Sequence, residues 1–146
     1  MVTTVPARVS LITLGVADVS RSTDFYQALG WPLSSASVFG TVSFFRTGGA
    51  VLALWGRDDL AADATVDAVT TSGFRAVAVA INLDTPEDVD GALRQAVAAG
   101  GSLVRPAHPA DWGGYSGYFA DPDGHLWEVA YNPFWLIGLD GRPIVP

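Results

Sequence analysis

The feature that most constrains this chain of 146 residues is a repeated order of elements: strand, helix, then three strands, spelled out twice by hydrophobic spacing and turn residues. In the first copy, Arg8–Val16 (RVSLITLGV) alternates and is rich in β-branched residues, which predicts a strand. Asp18 or Ser20 can cap the helix that follows. On it Ser22, Phe25, Tyr26 and Leu29 recur at i, i+3, i+4 and i+7, giving one buried face, and Gly30 ends it. Three short strands are expected at about 33–38, 41–46 and 50–55, with turns at Phe39-Gly40 and Thr47-Gly48-Gly49.

The second copy opens with a strand at Phe74–Leu83. Thr85 then provides a cap, Pro86 suits the first helical position, and Glu87 and Asp88 meet the positive end of the helix dipole. Val89, Leu93, Ala96 and Val97 mark the apolar face, and Gly100-Gly101 stops the helix. Strands are expected at Ser102–Arg105, Gly114–Ala120 and His125–Tyr131, the last two joined by the tight turn Asp121-Pro122-Asp123-Gly124. The acidic, Ala/Thr-rich stretch Asp58–Gly73 exceeds an ordinary connection and reads as a link between the halves.

These elements predict an α+β chain that is a single domain over 1–146. Two βαβββ modules, about 8–57 and 74–131, are related by a pseudo-two-fold and form a curved sheet around a ligand cup, with a tail at 132–146. With 49% hydrophobic residues there is ample material for a core. The net charge of −7 and the lack of a Lys/Arg cluster speak against nucleic acid and anionic membrane surfaces as partners. No apolar run approaches the roughly 20 residues of a membrane span, and residues 1–8 lack the pattern of a secretory leader. With no Cys, disulfides and thiolate chemistry are absent, which fits a reducing cytoplasm.

Two segments carry a family likeness. Leu11–Trp31 (LITLGVADVSRSTDFYQALGW) and Gly117–Pro133 (GYFADPDGHLWEVAYNP) resemble the opening strand–helix and the closing hairpin of the glyoxalase/bleomycin-resistance/dioxygenase (vicinal oxygen chelate) superfamily. The resemblance runs over nearly the whole chain. It implies that each module of a metal-using relative supplies two ligands drawn from His, Glu and sometimes Gln. Here Leu11 stands where relatives often place His, Arg75–Ile81 has no His, and Val51–Trp55 has no Glu or Gln. Only Glu128 keeps its place, and one carboxylate does not make a divalent-metal site. No metal and no cofactor are therefore expected.

Glu128 is the candidate catalytic residue, as ligand anchor or proton-transferring base, against the plainer reading of a glutamate held by a nearby Arg, Thr or Tyr. Trp112, Tyr115, Trp55 and Phe45 join it as candidate ligand contacts, because aromatics with a polar edge suit a small, partly aromatic molecule. Strand aromatics such as Phe45, Trp55, Tyr118 and Tyr131 are more often core. Arg46, Arg75 and Arg105 can pair with Glu128 or an acidic ligand, although surface placement is the safer expectation. Asp121 and Asp123 are assigned to turn chemistry. Phe134, Trp135, Leu136, Ile137 and Leu139 in the tail would leave a large apolar patch in water, so they should close over the cup or meet a second subunit. The expectation is a metal-free, bleomycin-resistance-like homodimer that binds a small molecule, or acts on it with Glu128 moving a proton and Tyr115 or a backbone amide stabilising charge. The alternatives are a metal-dependent lyase, isomerase or ring-cleaving dioxygenase, and a purely structural role.

Overall fold

The computed structural model describes residues 5–69 and 73–146. Residues 1–4, at the start of the stretch read for a leader, and 70–72 of the expected link lie outside the described residues. Among the described residues the chain is α+β, with two sheets and three helices.

The first sheet holds β1 (Leu11–Val16), β2 (Val42–Phe45) and β3 (Val51–Gly56), in the order β1-β3-β2. The alternation that predicts β1 puts Leu14 and Val16 in the core and leaves Leu11 half exposed. Helix α1 (Val19–Ala28) starts where the Asp18 carboxylate accepts from the Arg21 backbone N–H at 3.1 Å. It buries Val19, Ser22, Phe25 and Tyr26, and the chain leaves it through Gly30 at φ +84°, a conformation costly for other residues.

The second sheet holds β4 (Val79–Leu83), β5 (Ser102–Pro109), β6 (Tyr115–Ala120) and β7 (Leu126–Tyr131), in the order β4-β7-β6-β5. Between β4 and β5, α3 (Pro86–Ala98) has the expected Thr85 cap, whose hydroxyl accepts from the Asp88 N–H at 3.1 Å. It packs Val89, Leu93 and Ala96 against the sheet. In each half the opening strand runs parallel to the closing strand, which is antiparallel to the strand before it. The repeat is thus one of topology as well as of element order.

Three expectations need correction. The strand expected at 33–38 is reduced to two isolated bridges, Leu33 with Phe45 and Val38 with Val42. Serine hydroxyls compete there with the backbone ladder: Ser37 Oγ accepts from the Phe44 N–H at 2.9 Å and Ser34 Oγ from the Ala36 N–H at 3.2 Å. The strand expected from Phe74 begins only at Val79, because Ala76 at φ +59° breaks the extended run. The link contains helix α2 (Arg57–Asp63), with Asp58 and Asp59 in its first turn where the dipole favours them. It lies over β1 so closely that a Cβ at Gly15 would meet Arg57 Cα at 3.3 Å and Leu60 Cδ2 at 3.4 Å.

The halves are joined through α1 and the β6–β7 turn. The Tyr26 hydroxyl donates to Asp121 Oδ2 at 2.7 Å and accepts from Trp127 Nε1–H at 3.1 Å. Asp123 Oδ1 accepts from the Ala17 N–H at 2.8 Å and from Arg21 at 3.2 Å. Aromatic rings continue the seam: Tyr26 stands within 6.0 Å of Trp127, and Phe119 is stacked on Trp127 at 6.1 Å. No helix among the described residues is long and apolar enough to cross a membrane.

Candidate functional site

Strand alternation sends one set of second-sheet side chains toward α3 and turns the other set away. The register fixes the outward set. Tyr118 stands opposite both Glu128 and Arg105, Glu128 is beside Ala80, and Ser116 is paired with Ala130 and His108. Glu128 is half-buried on this face, and Tyr118 Oη donates to its Oε2 at 2.7 Å. That bond raises the Tyr118 pKa above its ordinary value, desolvation and the carboxylate's charge add to the rise, and Arg105 offsets part of it. A carboxylate, a phenol and a guanidinium thus share one face.

One residue pair further along the same face, Ala120 and Leu126 help to line a cavity of about 530 Å³. Thr13 of β1 and Phe74, Val77 and Val104 complete its apolar wall. This volume lies within the range of small-molecule sites, roughly 300–1,000 Å³. The cavity opens where β1 meets the run into β4, at the junction of the two halves.

The predicted site residues do not all gather here. Glu128 is on this face. Tyr115 is three residues from Tyr118, so it points to the other side of β6, where its hydroxyl donates to Asp90 Oδ1 of α3 at 2.8 Å. That bond raises the Tyr115 pKa. Tyr115 therefore does not stand beside Glu128; the tyrosine bonded to Glu128 is Tyr118. Phe45 is 0 % exposed and packs on Tyr26, so it is core and lines neither sheet-junction cavity. Trp55 is half-buried on the first sheet, paired with Gly15. Trp112 sits in the turn before β6, half exposed, with its indole over Gly114 and Phe134 beside Gly113. The glycines there make room for rings of the chain itself.

Sequence reasoning did not place Tyr118 beside Glu128, and it expected Arg105 at the surface, where it stands exposed. Counting outward from a four-residue turn at Asp121–Gly124 would pair Ala120 with His125 and Tyr118 with Trp127. The observed register, Ala120 with Leu126 and Tyr118 with Glu128, includes His125 in the loop, so the turn residues alone did not reveal the pair. His108 lies in β5, and its Nδ1 donates to Pro106 O at 3.2 Å. His125 is fully engaged: Nε2 donates to Gly15 O at 2.8 Å and Nδ1 accepts from Arg75 at 2.9 Å. Asp121 and Asp123 do turn work, with Asp121 Oδ1 accepting from the backbone N–H groups of Asp123 and His125.

The donors on this face do not fit the divalent ion that some relatives of this fold use. No group of three His, Cys, Asp or Glu side chains comes together among the described residues. Leu11 has no donor atom, and both His125 nitrogens are bonded within the chain.

A profile for the Glyoxalase/Bleomycin resistance protein/Dioxygenase superfamily matches residues 8–129. The chain belongs to this superfamily. Among solved structures of similar proteins is a glyoxalase-related enzyme from Fulvimarina pelagi, 39% identical, covering 96% of this chain and 99% of that one with a TM-score of 0.85. A glyoxalase/bleomycin resistance protein/dioxygenase from Nocardioides is 29% identical over 89% of this chain and 86% of its own, with a TM-score of 0.73. A lactoylglutathione lyase from Agrobacterium tumefaciens, 23% identical over 89% and 97% of the two chains with a TM-score of 0.67, shares the glyoxalase fold. No curated protein matches the chain.

Proposed function

We propose that this glyoxalase-superfamily chain is a cytoplasmic, metal-independent binding protein, bleomycin-resistance-like in mode, that holds a small, partly aromatic molecule against the outward face of its second sheet. The observation that carries the reading is the Tyr118–Glu128 pair beside an apolar cavity of about 530 Å³. Apolar walls supply affinity, and a few fixed polar groups set orientation. The net charge of −7 favours neutral or cationic molecules at long range.

The protein works as a homodimer in this proposal. Phe74, Val77 and Val104 of the cavity wall are 76%, 63% and 55% exposed, and Leu11 at the start of β1 is 50% exposed. Leu136 and Leu139 of the tail are also exposed, so the tail does not bury its apolar residues within the chain. A second copy covering these surfaces removes that apolar area from water.

A second reading rests on the 2.7 Å Tyr118–Glu128 bond. Glu128 can take a proton from a bound substrate as the phenol turns its single O–H from the carboxylate to the developing oxyanion, which requires no metal. Glu128→Gln then abolishes turnover and retains binding.

The test is sedimentation equilibrium together with a thermal-shift screen of small neutral and cationic aromatic compounds, followed by calorimetry. The expected result is a dimer and saturable binding that weakens at least tenfold in Leu126→Trp, which fills the cavity. A monomer, or binding indifferent to Leu126→Trp and Tyr118→Phe, refutes the proposal. Elemental mass spectrometry after exposure to nickel, zinc, iron and manganese provides the contrast: about one tightly held ion per chain would reinstate a metal-dependent lyase, isomerase or dioxygenase.

A further inference from the structure

A second cavity, of about 450 Å³, lies at the sheet junction, touching the first at Ile12 and Val79 and lined by neither Tyr118 nor Glu128. Its walls combine the inward residues Leu52 of β3, Ile81 of β4 and Trp127 of β7 and Trp31 after α1 with Ala80 and Asn82 of the edge strand β4, which alternate to the Glu128 face. Trp31 and Trp127 stand edge to face with centroids 5.5 Å apart. Trp127 is only 3 % exposed, held by its bond to Tyr26, so this wall is rigid.

The polar lining differs from that of the first cavity. Arg46, just past β2, borders the space, and its side chain forms no hydrogen bond or ion pair among the described residues. Arg8, Arg94 and Arg105 likewise form no ion pair among the described residues, so what sets Arg46 apart is its place at a cavity walled by two indole rings. Asn82 adds an amide.

The rim is completed by the tail, which lies beyond the residues matched by the superfamily profile. Gly141, Arg142 and Pro143 line the cavity. A small hairpin holds them: Gly138 donates to Arg142 O at 2.8 Å and Ile144 to Leu136 O at 2.7 Å. Arg142 Nε donates to Gly48 O at 2.8 Å, which ties the hairpin to the β2–β3 turn. The fit is close enough that a Cβ at Gly48 would lie 2.6 Å from Asp140 O.

We infer that this cavity is a second ligand site, separate from the Tyr118–Glu128 pair, which takes a flat apolar monoanion such as an aromatic carboxylate. The rings of Trp31 and Trp127 receive the flat body, and the free fork of Arg46 pairs with the carboxylate at the mouth. The hairpin forms part of the wall, so chain outside the superfamily core shapes this site.

The experiment uses the full-length protein and 2-naphthoate as probe, with neutral 2-naphthamide as its uncharged counterpart. Titrations are followed by calorimetry and by the indole N–H signals of Trp31 and Trp127. The expected result is saturable 2-naphthoate binding that shifts both signals and exceeds 2-naphthamide binding about tenfold, the equivalent of one modest ionic contact. Arg46→Ala weakens it about tenfold and Arg46→Lys retains part of it. Ala50→Phe, which fills the cavity, abolishes it, and Leu126→Trp, which fills the other cavity, leaves it unchanged. Absence of saturable binding up to roughly 5 mM, a range that still detects weak millimolar complexes, overturns the inference. So does binding that survives both Arg46→Ala and Ala50→Phe, or that is lost in Leu126→Trp alone.

Discussion

Tyr26→Phe isolates the contribution of one hydroxyl to the seam between the two halves. Tyr26 is 0 % exposed, and its ring packs on Phe25, Trp31, Phe45 and Trp127. Phenylalanine keeps those contacts and leaves no cavity of consequence. The loss is confined to two hydrogen bonds, the 2.7 Å bond to Asp121 Oδ2 and the 3.1 Å bond from Trp127 Nε1. Asp121 is 3 % exposed, so water does not readily replace the phenol. A bond to a charged group contributes about 1.5–3 kcal/mol, and a buried donor left unpaired costs about 1–3 kcal/mol. With partial relaxation the expected loss is about 3 kcal/mol. At about 2–4 °C per kcal/mol for a chain of this size, the midpoint falls by roughly 6–12 °C. Urea denaturation measures the free energy, and calorimetry the midpoint. A companion cycle with Asp121→Asn should give a coupling energy of about 1 kcal/mol or more. A loss below about 0.5 kcal/mol, within the range of an ordinary surface substitution, would refute the idea that this bond holds the halves together.

The same phenol predicts the alkaline limit of stability. Burial first, and the Asp121 charge next, hold the Tyr26 pKa well above its ordinary value. The unfolded chain loses this proton first, so the stability it contributes is complete below about pH 10 and is lost above it at about 1.4 kcal/mol per pH unit. Denaturation between pH 9 and 11 should show this slope in the wild type and a shallower one in Tyr26→Phe. Thr85→Ala removes the cap of α3 and should lower stability by about 1 kcal/mol, with Thr85→Ser restoring most of it, as read by urea midpoints. Gly117→Ala should cost about 1–3 kcal/mol, because the new Cβ would lie 2.7 Å from Leu93 Cδ1 and 2.8 Å from Arg105 O; an unchanged thermal midpoint would contradict the packing of α3 on β6. His125→Ala frees Gly15 O and Arg75 Nη1, with Arg75 Nη2 still bonded to Asp123 O, and hydrogen exchange should rise at Gly15 and its neighbours in β1 while α3 stays protected.

Much of this fold was legible because its signals are local. Asp18, Thr85 and Pro86 act within one helical turn, and Gly30 acts at its own backbone, so α1 and α3 start and stop where spacing places them. The errors arose where local signals compete. Serine hydroxyls displaced the ladder at 33–38, a left-handed Ala76 shortened β4, and the acids of the link, read as loop composition, start α2. The candidate site was read less well. The closing hairpin of the superfamily pointed to Glu128, which lies on the outward face, while Tyr115, expected beside it, faces α3 and Tyr118 makes the bond to Glu128. A step of three along a strand changes the face, and no composition argument carries that information.

By itself the sequence determined the α+β repeat, the caps and turns, the acidic surface and the superfamily, since each follows from residue type and near-neighbour spacing. Only the tertiary structure decided which side chains meet. Tyr26 with Asp121 and Trp127, Tyr118 with Glu128, His125 with Gly15, and the tail with Gly48 are contacts set by sheet register and by the docking of one half on the other. Those are properties of the whole packed chain, because shifting a strand by one residue would turn every one of its side chains to the opposite face while leaving the sequence signals for that strand unchanged.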